Sequence, residues 1–525
     1  LYPTLTLDVI DSDNQMATVT VNRTEAFEAG TLYKKAVDAP QFAPIAAPSL
    51  VWPNQDMNEP HDITKCGTDY EANIQITVPG GIAGLMVNIT SEVLNEMELK
   101  ELDLFSTDLG LPGMTSGVAI QYQKSTTFDI TTLVPLIASL KAAPGSEHIF
   151  EVVVTDLAGQ QTTQRLTFYM PSLITYNEDA DLWLNTASFT LKNIPAEATS
   201  VSVQYKKSTE TAWQTAEITE NNTKAEIKPD WGTQFTAADW TTPNSVQPFW
   251  RITEGTGVFA NNTYDYKLTV DGTEYKGQFK TGNGDVIPDG NMENTNLPCF
   301  TQNGSESSTF WGSGNNDQTP SLCTQITTEG NKYAVLQSKK AVIVLAAGNL
   351  FTGTFKYTSA GLGGTGAVNF GQKYTYTARP SALQVKYRAK INAVDMNVLN
   401  GPLAKKEQDK ARIFVAIINW TSQHTVSSTY SLGGSNNGCV GGWDPETTTN
   451  PGEGKIIGYG SLWLTESAET DWQNADIQIQ WYDKATKPTE GNYSLIISCA
   501  ANAYGDYMNG CTSNFLHIDD IQWVY

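Results

Sequence analysis

Four histidines in 525 residues, His61, His148, His424 and His517, are too scattered to build a zinc centre, and none lies in an HExxH or HxH pattern. Cysteine is almost as sparse. Cys66 stands alone near the N-terminus, Cys299, Cys323, Cys439, Cys499 and Cys511 fall in the second half, and no CxxC occurs. The spacing is compatible with a Cys499–Cys511 disulfide and equally with free buried thiols. No GxSxG nucleophile elbow is present. The glycine-rich GLGGTGAVNFG at 361–371 lacks a following Lys-Ser/Thr and a helix, which makes it a flexible strand connection and not a phosphate loop. No run of ~18 apolar residues is available to cross a membrane as a helix. Positive charge is short as well: 33 Lys and Arg face 56 Asp and Glu, a net −23 that argues against nucleic acid or an anionic membrane as partner.

What is plentiful is Thr, Asn, Gly and the β-branched and aromatic residues, so the chain reads as mainly β, long enough for three or four domains. Residues 1–48 hold two strands, LTLDVI and MATVTV, and a Pro/Ala-rich linker. The start at Leu1 inside LYPTLTLDVI is expected of a mature chain whose export signal has been removed. Residues 49–170 form an Ig-like domain whose β-runs, among them ANIQITV and HIFEVVVTD, are separated by PGG, APG and LAG turns. Two stretches inside it have helical spacing, SEVLNEMELKELDL and FDITTLVPLIASLKA, the second with Asp129 and Thr131 as caps. Residues 171–283 make a second sandwich. Its VSVQYKKSTETAW and NNTYDYKLTVDGTEYKGQFKTG resemble the middle and final strands of fibronectin type III modules, which are more often spacers than catalysts. GNGDVIPDG at 282–290 has the composition of a hinge. Residues 284–525 supply at least nine strand-like runs, RIFVAIIN and YSLIISCA among them, as expected for a two-sheet jelly roll.

The last run, FLHIDDIQWVY, carries Asp519 and Asp520 side by side. Strand alternation sends one of them to the core face, where an ionised carboxylate needs a partner. IPDGNMENTNLPCF, which opens the same domain, and HIDDIQWVY, which closes it, resemble galactose-binding-like jelly rolls. That resemblance implies a structural calcium held by the opening Glu and the closing Asp, here Glu293 and Asp519, with Met292 standing where an aromatic is usual. The series FWGSGNN, GNLFTGTF, FGQKYTYTARPSALQVKYRA and AYGDYMNG, followed by FLHIDDIQWVY, resembles the putative carbohydrate metabolism domain. SLVWPNQD, GIAGLMVNIT and HIFEVVVTDLAG at 49–170 are similar to a family of unknown function that often precedes it. The resemblance implies an exported, often lipid-anchored protein at the outer membrane of Gram-negative, glycan-foraging gut bacteria, within a surface glycan-uptake complex.

Saccharides are held by aromatic faces, with amides and carboxylates fixing the hydroxyls. Three loops offer that chemistry: Trp311 with Asn315 and Asn316, Trp443, and Tyr504, Asp506 and Tyr507. Trp420, Trp463, Trp481 and Trp523 lie in strand runs and read as core. Arg379 is expected to pair with a buried carboxylate such as Asp506 or Asp520, and His517 with Asp519. No catalytic constellation stands out, so the leading expectation is a non-catalytic glycan-binding or scaffold protein that requires no cofactor. A glycoside hydrolase is the alternative, with Asp506 and either Asp317 or Asp444 at ~5–5.5 Å for retention or ~6.5–9.5 Å for inversion. A structural or adhesive surface module is the third reading.

Overall fold

Burial along Glu147–Asp156 alternates residue by residue, with His148, Phe150, Val152, Val154 and Asp156 turned inward, as the period-two direction of strand side chains requires. This is the pattern throughout a mainly β chain. The computed structural model describes residues 4–525 except 23, 26–27, 35–39, 111–113, 141, 144, 220, 236–247, 308 and 449. It divides into two units, Leu1–Leu173 and Ile174–Tyr525.

In the first unit, Glu147–Asp156 lies inside a five-stranded sheet between Gln161–Tyr169 and Ile82–Thr90. Phe150 and Phe168 from this sheet pack with Phe128 of a three-stranded sheet made by Ser49–Val51, Asn73–Thr77 and Ser125–Asp129. The two stretches with helical spacing yield little helix. Glu92–Asn95 stops before Glu98, whose φ is 65°, and Glu101–Asp103 then joins the sheet edge with Leu102 buried. The second helix is Leu133–Ser139, and its N-cap position is Thr132. Asp129 accepts the Thr131 N–H at 3.0 Å and the Thr131 hydroxyl accepts the Ala72 N–H at 2.9 Å, so Asp129 serves the preceding turn and Thr131 ties it to the chain entering Asn73–Thr77.

The second unit opens with two four-stranded sheets. Tyr176 of one stacks on Phe279 of the other at 4.1 Å between ring centres, and Tyr264 lies against the same ring at 5.1 Å. The 282–290 segment that follows is fastened, contrary to its hinge-like composition. Gly284 lies so close to the Tyr525 ring that a Cβ would sit 2.2 Å from it. The Asp285 carboxylate accepts the N–H groups of Thr377 and Ala378 at 2.9 and 3.2 Å.

The remaining strands form the jelly-roll sandwich. Its five-stranded sheet runs Cys323–Thr328, Asn331–Gln337, Phe515–Val524, Ala382–Lys390, Ala468–Gln478. The facing ten-stranded sheet is built on Gly438–Val440, His424–Ser431, Gly363–Phe370, Asn349–Ser359, Tyr493–Ala500, Ala411–Trp420 and Gly454–Leu464, in that order. Between them Leu383, Val385, Ile413, Val415, Leu495, Ile497, Leu516 and Ile518 are excluded from water. The GLGGTGAVNFG stretch is thus largely a strand, Gly363–Phe370. Aromatic rings of the neighbouring strand cover its glycines: a Cβ on Gly366 would lie 3.1 Å from the Phe355 ring, and one on Gly364 would collide with Tyr357.

A β-bulge breaks the alternation of Phe515–Val524. Gln384 pairs with Gln522 but Lys386 with Asp519, so Asp520 and Ile521 face one residue, and Asp520 takes a φ of 46°. The bulge brings Ile521, not Asp520, to the core face with Ile518, and Asp520 turns out to Lys386, 2.5 Å away, while Asp519 is buried on the other face. His517 does not reach Asp519; it stacks on Phe515, with ring centres 4.5 Å apart. Arg379 is buried without a carboxylate partner among its hydrogen bonds. It donates to the Trp183 and Lys484 carbonyls at 2.6 and 2.7 Å and lies between the indoles of Trp183, Trp231 and Trp481.

Candidate functional site

The outer face of the ten-stranded sheet is concave and encloses a cavity of about 500 Å³, the size of a small-molecule site. Phe355 and Tyr357 can lie flat along one wall because glycines sit beneath them on the next strand. Phe370, Phe414 and Tyr430 extend the apolar surface, and Trp443 closes one side. Trp443 is half-buried, edge-on to Trp420 at 5.5 Å, so its indole is fixed in place.

Polar groups gather where Ala411–Trp420 meets the 501–510 loop. Arg412 reaches Asp444 Oδ1 at 3.0 Å, Glu446 Oε1 at 3.3 Å and the Tyr459 hydroxyl at 2.5 Å, with its guanidinium 4.2 Å over the Trp463 ring. Tyr459 donates in turn to Glu446 Oε1 at 2.9 Å. Burial pushes the Glu446 carboxyl above its ordinary range, against the pull of Arg412. Asp506 sits on a single turn, Gly505–Tyr507, and lines the cavity. Its Oδ1 accepts the Tyr507 N–H at 3.1 Å, the Cys439 thiol lies 3.8 Å from Oδ2, and burial raises its carboxyl too.

The turn is held from below by a residue the sequence reading passed over. Asp409 is wholly buried and accepts from Asn502 Nδ2 and Cys511 N, each at 2.7 Å, and from Asn514 Nδ2 at 2.9 Å. One carboxylate thus ties both ends of the loop that presents Asp506.

The expected loop aromatics divide. Trp443 and Asp506 meet at the cavity, joined by Asn316. Tyr504 and Tyr507 share the turn but do not line the cavity; Tyr504 lies 6.2 Å from the Trp463 ring. Trp311 and Asn315 are in the core. The Trp311 indole N–H donates to the Pro288 carbonyl at 2.8 Å, and its strand pairs with Phe351 and Thr352. Asn315 accepts from Leu322 N and Cys323 N and donates to the Cys299 and Cys323 carbonyls, which spends its amide on backbone. Asp317 hydrogen-bonds Gln302 at 2.7 Å and does not line the cavity. The structure therefore does not bring it to Asp506. Arg412 was also missed, although a lone cation opening the apolar run RIFVAIIN demands a partner.

Glu293 and Asp519 approach one dipeptide. Asp519 Oδ2 accepts the Asn331 amide and Glu293 Oε1 accepts the Lys332 N–H, each at 2.9 Å. The other oxygens meet Asp520 N at 2.9 Å and the Lys332 ammonium at 3.4 Å. Calcium takes oxygen ligands. These residues fit it only with the Asn331 amide turned to offer its oxygen and the Lys332 ammonium displaced.

A family model described as "Putative carbohydrate metabolism domain" matches residues 254–524. Among solved structures, the chain is similar to a putative glycoside hydrolase of Bacteroides thetaiotaomicron VPI-5482, at 17% identity over 54% of this chain and 86% of that one, with a TM-score of 0.29. A putative glycoside hydrolase of Bacteroides vulgatus ATCC 8482 has 17% identity, 46% and 95% coverage and a TM-score of 0.29. The mixed-linkage glucan utilization locus SGBP-B of Bacteroides ovatus, in complex with a mixed-linkage heptasaccharide, has 11% identity, 86% and 100% coverage and a TM-score of 0.17. No curated protein matches the chain.

Proposed function

The chain belongs to the putative carbohydrate metabolism domain family, and on that premise we propose that it binds a glycan, without cleaving it, in the cavity on its ten-stranded sheet. The observation that carries this reading is the meeting of a fixed indole, Trp443, with a half-buried carboxyl, Asp506, across one concave surface. An indole face and a hydrogen-bonding carboxyl are what a sugar ring and its hydroxyls require. Display at the outer surface, by way of a lipid anchor and within a glycan-uptake complex, belongs to the same proposal. So does a calcium between Glu293 and Asp519. A glycan array followed by calorimetry on the full chain tests the binding. A soluble glycan should bind, and Trp443→Ala should weaken it at least about tenfold, the loss of one stacked aromatic anchor. Folded protein that binds nothing across plant and host glycans would end the proposal.

A hydrolase is the second reading, favoured by the raised carboxyl of Asp506, the state a general acid needs. Its difficulty is the second carboxylate, since Asp444 is committed to Arg412 at 3.0 Å. Release of reducing sugar that disappears in Asp506→Asn would establish it.

A further inference from the structure

Three turns surround the mouth of the cavity, and each offers water an apolar side chain where turn chemistry favours Gly, Asn or Asp. Val342 and Ile343 form the tip between Lys339–Ala341 and Val344–Ala346. Leu362 lies in the turn between Asn349–Ser359 and Gly363–Phe370, and Leu432 follows His424–Ser431. Val342, Leu362 and Leu432 are 82%, 75% and 59% exposed, and all four side chains line the cavity. The Leu432 N–H donates to the Leu362 carbonyl at 3.3 Å, which keeps two of the turns side by side.

Val342 is the most telling of them. Its φ is 54° at the first of two turn residues, the position that glycine occupies in a type II′ hairpin. A β-branched residue there is strained. Local stability does not call for that choice; an apolar collar does. An exposed apolar cluster at a cavity mouth marks a binding surface. Behind the collar the walls are Phe355, Tyr357, Phe370 and Phe414, whereas the polar end is at the 501–510 loop, where Asp506 lines the cavity. The Arg412 guanidinium is matched by Asp444 and Glu446, so that end offers no free cation to a charged head group.

We infer that the cavity takes a linear alkyl or acyl chain between the collar and the aromatic wall, carried on an uncharged, hydroxylated head group that meets Asp506. The ligand class is an amphiphilic glycoside. The head-group half of this inference rests on the glycan-binding reading; the chain half rests on the collar.

Calorimetry on the full chain tests it, with methyl, hexyl and octyl β-D-glucopyranoside, 1-octanol and octanoate, all below their critical micelle concentrations. Each buried methylene tightens binding by roughly fourfold, so octyl should bind about tenfold or more tighter than hexyl, and octanoate should bind worst among the eight-carbon ligands. Val342→Gly should weaken octyl glucoside while leaving the melting temperature equal or higher, because glycine relaxes the strained turn. Leu432→Ser should weaken it as well. Affinity independent of chain length, or both variants binding octyl glucoside as tightly as the unaltered protein, would overturn the inference. A glycan that binds regardless of chain would leave the glycan reading standing and remove the chain. Octanol binding as tightly as octyl glucoside would support the chain and remove the sugar.

Discussion

The guanidinium of Arg412 and the carboxylate of Glu446 meet at 3.3 Å beside the cavity, and the second Glu446 oxygen has no hydrogen-bond partner among the described residues. Taking away the cation would leave a buried carboxylate with nothing to balance it. Arg412→Met is therefore expected to cost about 3–5 kcal/mol, read from denaturant unfolding. Arg412→Met with Glu446→Gln should recover part of the loss, and the double-mutant cycle would give the coupling between the two.

Asp409 satisfies three donors from one loop, Asn502, Cys511 and Asn514. Asp409→Ala strands them all, at about 1–3 kcal/mol for each buried group left unpaired. The expected outcome is a large fall in melting temperature together with weaker glycan binding, since Asp506 rides on the same loop. Asp409→Asn, which keeps one acceptor oxygen, should fall between the two.

Burial holds the Asp506 carboxyl above its unfolded-state value. A group raised in this way contributes stability that is fully present below the unfolded pKa and is lost as pH rises through the folded one. Asp506→Asn removes that loss. The variant should melt with the unaltered protein in acid and above it at neutral pH, a difference that a series of melts across pH would reveal. Parallel curves would show that the carboxyl is not buried in solution.

Strands were easy to read from the sequence, and the site only in part. RIFVAIIN and FLHIDDIQWVY became Ala411–Trp420 and Phe515–Val524 because β-branched and aromatic runs between turn signals have few other uses. Trp443 stood out among glycine and polar neighbours, and it lies on the cavity. Trp311 and Asn315 did not deserve the same reading, because an amide that binds sugar and an amide that binds buried backbone are the same residue in the same glycine-rich setting. Phe355 and Tyr357 were invisible for a different reason. Alternation says which residues share a face of a strand, but it does not say whether that face meets the core or a cavity. The bulge at Asp520 and Ile521 likewise overrode a period-two expectation that had still pointed to the right anomaly.

Glu293 and Asp519 make the calcium proposal testable. EDTA is expected to lower the melting temperature without abolishing glycan binding, because neither carboxylate lines the cavity. An unchanged melting temperature would leave the tie to Asn331 and Lys332 as the whole of the link. Asn331→Ala should lower the melting temperature in either case, since Asp519 loses its 2.9 Å amide partner.

Phe515–Val524 is the last strand of the sandwich in sequence, yet it lies at the centre of the five-stranded sheet, between Asn331–Gln337 and Ala382–Lys390. During synthesis, the strands that flank it leave the ribosome with a gap between them, holding unpaired edges until Phe515–Val524 emerges. Such long-range closure is slow and exposes aggregation-prone surface. The domain thus cannot close before Phe515–Val524 is made, and a nascent chain stalled before Phe515 would be a substrate for chaperones, not a partly working protein.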